Sequence, residues 1–189
     1  MNIEHITKAV IFDFDDTLIN VPEPEEGKAI WKEKTGTDWP YPGGGWWSKP
    51  ESLSMDIYDI KPHSDMLAEY NKVSNDSSTF VALATGRMKK LANEVHAILR
   101  KYNIAFDDIV LNGDARYNVK GQSNDTLTCK IRFLNDVVKN FINLKELVFW
   151  DDRVEHHNTF VTWKNVKEAE QKNKPEEDKI KITINLVKR

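Results

Sequence analysis

Four short apolar runs punctuate the chain: "AVIF" (9–12), "FVALA" (80–84), "IVL" (109–111) and "LVFW" (147–150). Runs of this length with almost no polar interruption suit strands buried on both faces, as in a parallel sheet. Helical spacing fills the intervals. Met66, Leu67, Tyr70 and Val73 form one apolar stripe, with Pro62 placed to open its helix. Met88, Leu91, Ala92, Val95, Ile98, Leu99 and Tyr102 form a second, and Phe133, Leu134, Val137, Val138, Phe141 and Ile142 a third. Near the C-terminus Ile180, Ile182, Ile184 and Leu186 alternate with polar residues, the pattern of a half-exposed edge strand. Strands alternating with helices predict an α/β fold with a mainly parallel sheet. The charged stretch 164–179 reads as a solvated helix end and loop.

One segment interrupts the alternation. Residues 20–60 hold Trp31, Trp39, Trp46 and Trp47, and Gly43, Gly44 and Gly45 stand directly before the last two. Prolines 22, 24, 40, 42 and 50 lie in the same segment. Such a composition predicts an inserted flap of irregular backbone within a single domain spanning 1–189.

Composition narrows the function classes. The chain has 189 residues, 40% of them hydrophobic and 30% charged, which describes an ordinary globular protein able to bury a sizeable core. A net charge of −3 gives no overall basic field for a long nucleic-acid or membrane footprint. Cys129 is the single cysteine, so no internal disulfide forms and a reducing compartment suits the chain. With no signal-peptide-like stretch and no apolar run of bilayer length, the expectation is a cytoplasmic protein without membrane contact or an obligate protein partner.

The chemistry gathers where the strands end. Asp13, Asp15 and Asp16 follow the first run, and Thr85, Gly86 and Arg87 the second. Asn112 and Asp114 follow the third, and Asp151, Asp152 and Arg153 the fourth. Ligands bind open parallel sheets beyond the carboxyl ends of their strands, so these residues converge. Crowded carboxylates repel one another and are costly to bury. A hard divalent cation such as Mg²⁺, held by oxygen ligands, offsets that cost. A carboxylate can also act as a nucleophile on phosphorus, and a second can move the proton of the leaving group. Thr85 and the backbone N–H near Gly86 can receive phosphoryl oxygens, and Lys130 in "TLTCKIRFL" is the candidate for neutralising their charge. Read alone, "TGR" is as good a strand-to-helix turn with Thr85 as N-cap, and Lys130 an ordinary helix lysine. Trp31 and Trp39 read as packing residues. Trp46 and Trp47 divide evenly between packing and stacking on a base, a contact worth about 1–3 kcal/mol. Arg87 and Arg153 can pair with phosphate, and Lys49, Arg116 and Lys120 can extend a positive track. Asp16 alternates away from Asp13 and Asp15 and reads as structural, and His156 and His157 as residues that cap or line the site. Cys129 reads as a small buried hydrophobe.

In this order, "VIFDFDDTL", "VALATGR", Lys130 and "LVFWDDR" resemble the four motifs of the haloacid dehalogenase (HAD) superfamily of phosphotransferases. The resemblance implies a Rossmannoid three-layer sandwich with a small cap, and Mg²⁺-dependent phosphatase activity through a phospho-aspartate. By residue it implies Asp13 as nucleophile, Asp15 as general acid/base, Thr85 and Lys130 as phosphate-site residues, and Asp151 and Asp152 as the acidic pair that holds the metal with Asp13 and Asp15. Beyond the core motifs, "GGWWSKPESL" and "DDRVEHHNTF" are similar to the HAD domain of Swiss Army Knife RNA-repair-like proteins, and "WDDRVEHHNTF" to the phosphatase domain of polynucleotide kinase-phosphatases. Both imply a terminal phosphate on nucleic acid, 3′ or 2′,3′-cyclic. The alternatives are a phosphatase for free nucleotides or other small phosphometabolites, and, from another class, a catalytically decayed binding module.

Overall fold

A computed structural model describes residues 3–189. Strand β1 (Lys8–Phe12) leads through a tight turn into β2 (Ile19–Asn20) and helix α1 (Pro24–Thr35). The chain then passes through two single 3₁₀ turns, Trp46–Ser48 and Pro50–Leu53, to β3 (Lys61–Pro62) and α2 (Ser64–Val73). After these come β4 (Thr79–Met88), α3 (Ala92–Lys101), β5 (Asp108–Asn112), α4 (Thr126–Asn140), β6 (Glu146–Asp151), α5 (Val154–Glu170) and β7 (Lys181–Leu186).

The main sheet has five strands in the order β5-β4-β1-β6-β7, all parallel, as the uninterrupted apolar runs predict. Alternate residues of each strand face opposite sides. Val10, Phe12, Val81 and Leu83 join one buried cluster with Met66 and Tyr70 of α2 and Val95, Ile98 and Leu99 of α3. Ala9, Ile11, Ala82 and Phe149 join the other, with Phe133, Leu134 and Val137 of α4 and Phe160 and Trp163 of α5. Helix, sheet and helix thus form the three expected layers. Among the described residues no helix is long and apolar enough to cross a membrane.

Several boundaries differ from the sequence reading, each for a local reason. Pro62 does not open α2. It pairs antiparallel with Ile19 in a two-stranded ribbon, and the helix begins at Ser64. Strand β4 runs past Ala84 to Met88, with a break in register against β5 between Thr85 and Met88. Met88 therefore belongs to the strand, and α3 starts only after a 3₁₀ turn at Lys89–Leu91. Helix α4 stops at Asn140, leaving Phe141 buried and Ile142 73% exposed. The flap is not wholly irregular, since α1 occupies part of it. Pro24 fits its first turn, and Gly36, at φ 71°, closes it by donating to the Lys32 carbonyl.

The flap packs onto the α2/α3 side through its aromatic rings. Trp39 sits 4.7 Å from Trp46 and 5.2 Å from Trp31, measured between ring centroids, and Tyr58 lies 5.7 Å from Trp46. Trp39, Trp46 and Tyr58 are all buried. This cluster seats the 3₁₀ turns over the C-terminal ends of β1 and β4.

Candidate active site

Asp13 is the first residue beyond β1, and its N–H donates to the Trp150 carbonyl of β6 at 2.9 Å. That bond brings Asp13 beside Asp151, the last residue of β6, and its neighbour Asp152. One carboxylate oxygen from each of the three lies within 4.8 Å of the others. Lys130, on the first turns of α4, reaches into this group although it is buried. Its Nζ donates to Asp151 Oδ2 at 2.7 Å and stands 2.9 Å from Asp13 Oδ1. The other Asp151 oxygen accepts from the Arg153 N–H at 2.9 Å, and Asp152 Oδ1 accepts from the Thr17 hydroxyl at 3.3 Å.

The electrostatics follow from that geometry. Three carboxylates face one ammonium, so full ionisation leaves two negative charges in a buried space. Burial pushes the Asp13 pKa well up, Lys130 pulls it back, and Asp151, Asp152 and Asp15 add to the rise. Asp152 is raised by burial and then by Asp151. Burial pulls Lys130 down, but the carboxylates of Asp13 and Asp151 more than offset it and hold the lysine protonated. An all-oxygen donor set whose negative charge exceeds that of its one ammonium fits a divalent cation.

Asp15 departs from the expected arrangement. Its side chain is outside that three-carboxylate group and is held instead by Arg87, whose Nε lies 3.0 and 2.9 Å from its two oxygens and whose Nη2 is 2.7 Å from Oδ1. This bidentate pair also changes the role of Arg87. The arginine is 1% exposed, and its Nη1 donates to Ser52 Oγ and the Trp47 carbonyl, so it is committed within the protein rather than offered to phosphate. Arg87 lies within the register break of β4 between Thr85 and Met88. Thr85 is buried, and its Oγ1 accepts from the Arg87 N–H at 3.0 Å. Gly86 has Thr126 of α4 against it: a Cβ there would lie 3.0 Å from Thr126 Cγ2.

A cavity of about 60 Å³ opens onto this arrangement, lined by Asp13, Asp15, Asp16, Glu23, Trp47, Gly86, Arg87, Asp152 and Arg153. Asp16 therefore faces the site instead of turning from it. The segment after Asp13 is a tight turn rather than an extended strand, with Asp16 at φ 50° and its N–H bonded to the Ile19 carbonyl. Burial, then a hydrogen bond with Glu23, raises the Asp16 pKa to about 7.

The model of the family described as HAD domain family 1 in Swiss Army Knife RNA repair proteins matches residues 23–188. The chain belongs to this family. The match takes in the flap, Thr85–Arg87, Lys130 and Asp151–Arg153, while Asp13 and Asp15 stand ahead of it. The HAD domain is 26% identical over 171 residues to the uncharacterized protein YMR265C of Saccharomyces cerevisiae, covering 83% of this chain but 37% of that protein. It shares its fold with the HAD domain of the effector protein Lem4 from Legionella pneumophila (inactive mutant), at a TM-score of 0.51 and 12% identity over 97% of this chain and 86% of that one. A chain of the Pnkp1/Rnl/Hen1 complex aligns at a TM-score of 0.48 and 17% identity, covering 96% of this chain and 46% of that one.

The remaining sequence candidates of this HAD domain divide. Trp47 and Arg153 line the cavity. Trp46 does not: it is 3% exposed, its Nε1 donates to the Pro22 carbonyl at 3.1 Å, and it is a packing residue of the flap. Arg116 is held by Asp108 and Asp114 and lies 5.2 Å from the Tyr117 ring centroid, while Lys49 sits 4.0 Å from that of Tyr41, so neither is a free phosphate ligand. His156 packs edge-on against Phe160 with its Nδ1 unpartnered, and burial followed by Arg153 lowers its pKa. Cys129 is buried, as its sequence setting predicts. Sequence reasoning missed Ser52, Glu23 and the orientation of Asp16. Glu23 directly precedes α1 in "VPEPEE", but nothing in the sequence sets Ser52 apart.

Proposed function

We propose that this HAD domain is a Mg²⁺-dependent phosphatase that removes a terminal phosphate from nucleic acid. The observation that carries the reading is the Asp13–Asp151–Asp152 group, with Lys130 between two of its members and a cavity directly above. Asp13, Asp151 and Asp152 would hold the cation, which when bound offsets the charge of the carboxylates and of the phosphate. An Asp13 carboxylate oxygen attacks phosphorus and the bond to the leaving oxygen breaks, while Asp15 supplies the proton that oxygen takes up. Asp15 then accepts a proton from water as its oxygen attacks the same phosphorus. The Asp13 oxygen–phosphorus bond breaks, freeing the aspartate and inorganic phosphate. Lys130 and the backbone at Gly86 neutralise charge on the phosphoryl oxygens, with the Thr85 hydroxyl behind them.

Two observations support a nucleic-acid end. The family occurs in RNA repair proteins. The cavity of about 60 Å³ is far below the roughly 300–1,000 Å³ of sites that enclose a drug-sized ligand, so the phosphate enters while the rest of the substrate stays beyond Trp47, Glu23 and Arg153. The test compares phosphate release from a 3′-phosphorylated oligonucleotide, a 2′,3′-cyclic-phosphate-ended RNA and mononucleotides, each with Mg²⁺. Preference for an oligonucleotide end is expected. Equal or better turnover of mononucleotides would overturn the end-processing reading and leave a small-molecule phosphatase. No turnover of any of them would overturn the enzyme reading and favour a decayed binding module.

A further inference from the structure

Arg87 touches the flap on one side and Asp15 on the other, and all of its described contacts are internal. Nε and Nη2 grip the Asp15 carboxylate, Nη1 donates to Ser52 Oγ at 2.8 Å and to the Trp47 carbonyl at 3.2 Å, and the guanidinium carbon lies 4.8 Å from the Trp47 ring centroid. The direction of the Ser52 bond is fixed. The hydroxyl has one proton, which goes to the Lys49 carbonyl at 2.7 Å, so its lone pairs receive Arg87. Ser52 is 0% exposed and sits in the 3₁₀ turn Pro50–Leu53, so it reaches Arg87 only while the flap is seated.

We propose that Ser52 is a positioning residue: through Arg87 it fixes the Asp15 carboxylate for proton transfer, so that Asp15 is competent only when the flap is down. A planar guanidinium transmits orientation because rotating it to follow a displaced Nη1 partner breaks the fork on the other edge. The link rests on the phosphatase reading for its catalytic consequence, but the mechanical coupling between flap and Asp15 does not.

Coupling between two sites is reciprocal, which supplies a test independent of turnover. Hydrogen exchange of amides 46–54 is compared in wild type, Asp15→Asn and Asp152→Asn. Faster exchange in Asp15→Asn alone is expected. Unchanged exchange in Asp15→Asn, or equal acceleration in both variants, would overturn the coupling. Kinetics then read the catalytic half, with Ser52→Ala assayed on an alkyl phosphate and on p-nitrophenyl phosphate, whose leaving group needs no proton. General acid catalysis contributes about 10²–10⁴-fold, so a loss of about tenfold or more on the alkyl ester is expected. The first-turnover burst of nitrophenol, which precedes the step in which Asp15 acts as base, should stay within about threefold. Ser52→Thr, which keeps the hydroxyl, should restore the alkyl activity. Equal losses in alkyl-ester turnover and in the nitrophenol burst would assign Ser52 to folding and overturn the positioning role. A wild-type chain inactive on both esters would instead remove the phosphatase reading and with it the catalytic half, leaving the exchange result to decide the coupling.

Discussion

The indole of Trp46 occupies the space that a side chain on Gly27 would need: a Cβ built there would lie 2.0 Å from Trp46 Cη2. Gly27 is buried one turn into α1, and its bare backbone leaves room for the flap's aromatic cluster against the helix.

Gly27→Ala should therefore destabilise, against the usual gain from alanine in a helix. Overpacking of this kind costs about 1–3 kcal/mol. For a chain of this size each kcal/mol lowers Tm by about 2–4 °C. Differential scanning calorimetry checks it, and a raised Tm would show that Trp46 is not seated against α1 in solution.

Lys130 offers a second test. Replacing it with methionine keeps the volume but leaves Asp13 and Asp151 facing each other without the ammonium. Breaking a buried pair costs about 3–5 kcal/mol. The metal-free Tm should fall accordingly, while added Mg²⁺ should still raise it, because the cation is expected on the carboxylates and not on the lysine. Thermal shift with and without EDTA measures both. An unchanged metal-free Tm would contradict the pairing, and loss of the Mg²⁺ effect in Asp152→Asn is the matching control.

Asp16 gives a pH signature. Its folded pKa of about 7 lies above the ordinary carboxylate value of 3.8, so the folded state holds the proton more tightly than the unfolded one. Stability is lost as pH rises from that ordinary value toward 7, and the penalty is fully present above 7. Asp16→Asn removes the titration, and asparagine tolerates the φ of 50°. In EDTA the variant should gain more in Tm at pH 8.5 than at pH 5. An equal gain at both would contradict the raised pKa.

The hydrophobic pattern made the sheet legible because each central strand is buried on both sides and admits almost nothing polar. The same logic placed Asp13, Thr85 and Asp151 at one sheet edge, whereas Lys130, on a helix, was singled out only by the order of the motifs. What escaped was the geometry that tertiary contacts decide. Arg87 reads as a phosphate ligand until its partners far along the chain, Asp15 and Ser52, are seen to occupy it. Asp16 reads as outward only if the strand continues, and the turn at Phe14–Ile19 ends it. Trp46 and Trp47 are adjacent in a Gly-rich stretch, yet one is buried against Gly27 and the other lines the cavity, a division that no periodicity in so short a segment encodes.

The central claim is that Asp13 carries the phosphoryl group. Asp15→Asn should slow release from the covalent state, so that variant is mixed with Mg²⁺ and p-nitrophenyl phosphate, quenched in acid and analysed by peptide mass spectrometry. One added phosphoryl group on the peptide containing Asp13, absent in the Asp13→Asn, Asp15→Asn double variant, is the predicted result. Nitrophenol release with no phosphorylated Asp13 peptide, or activity retained in Asp13→Asn, would contradict it.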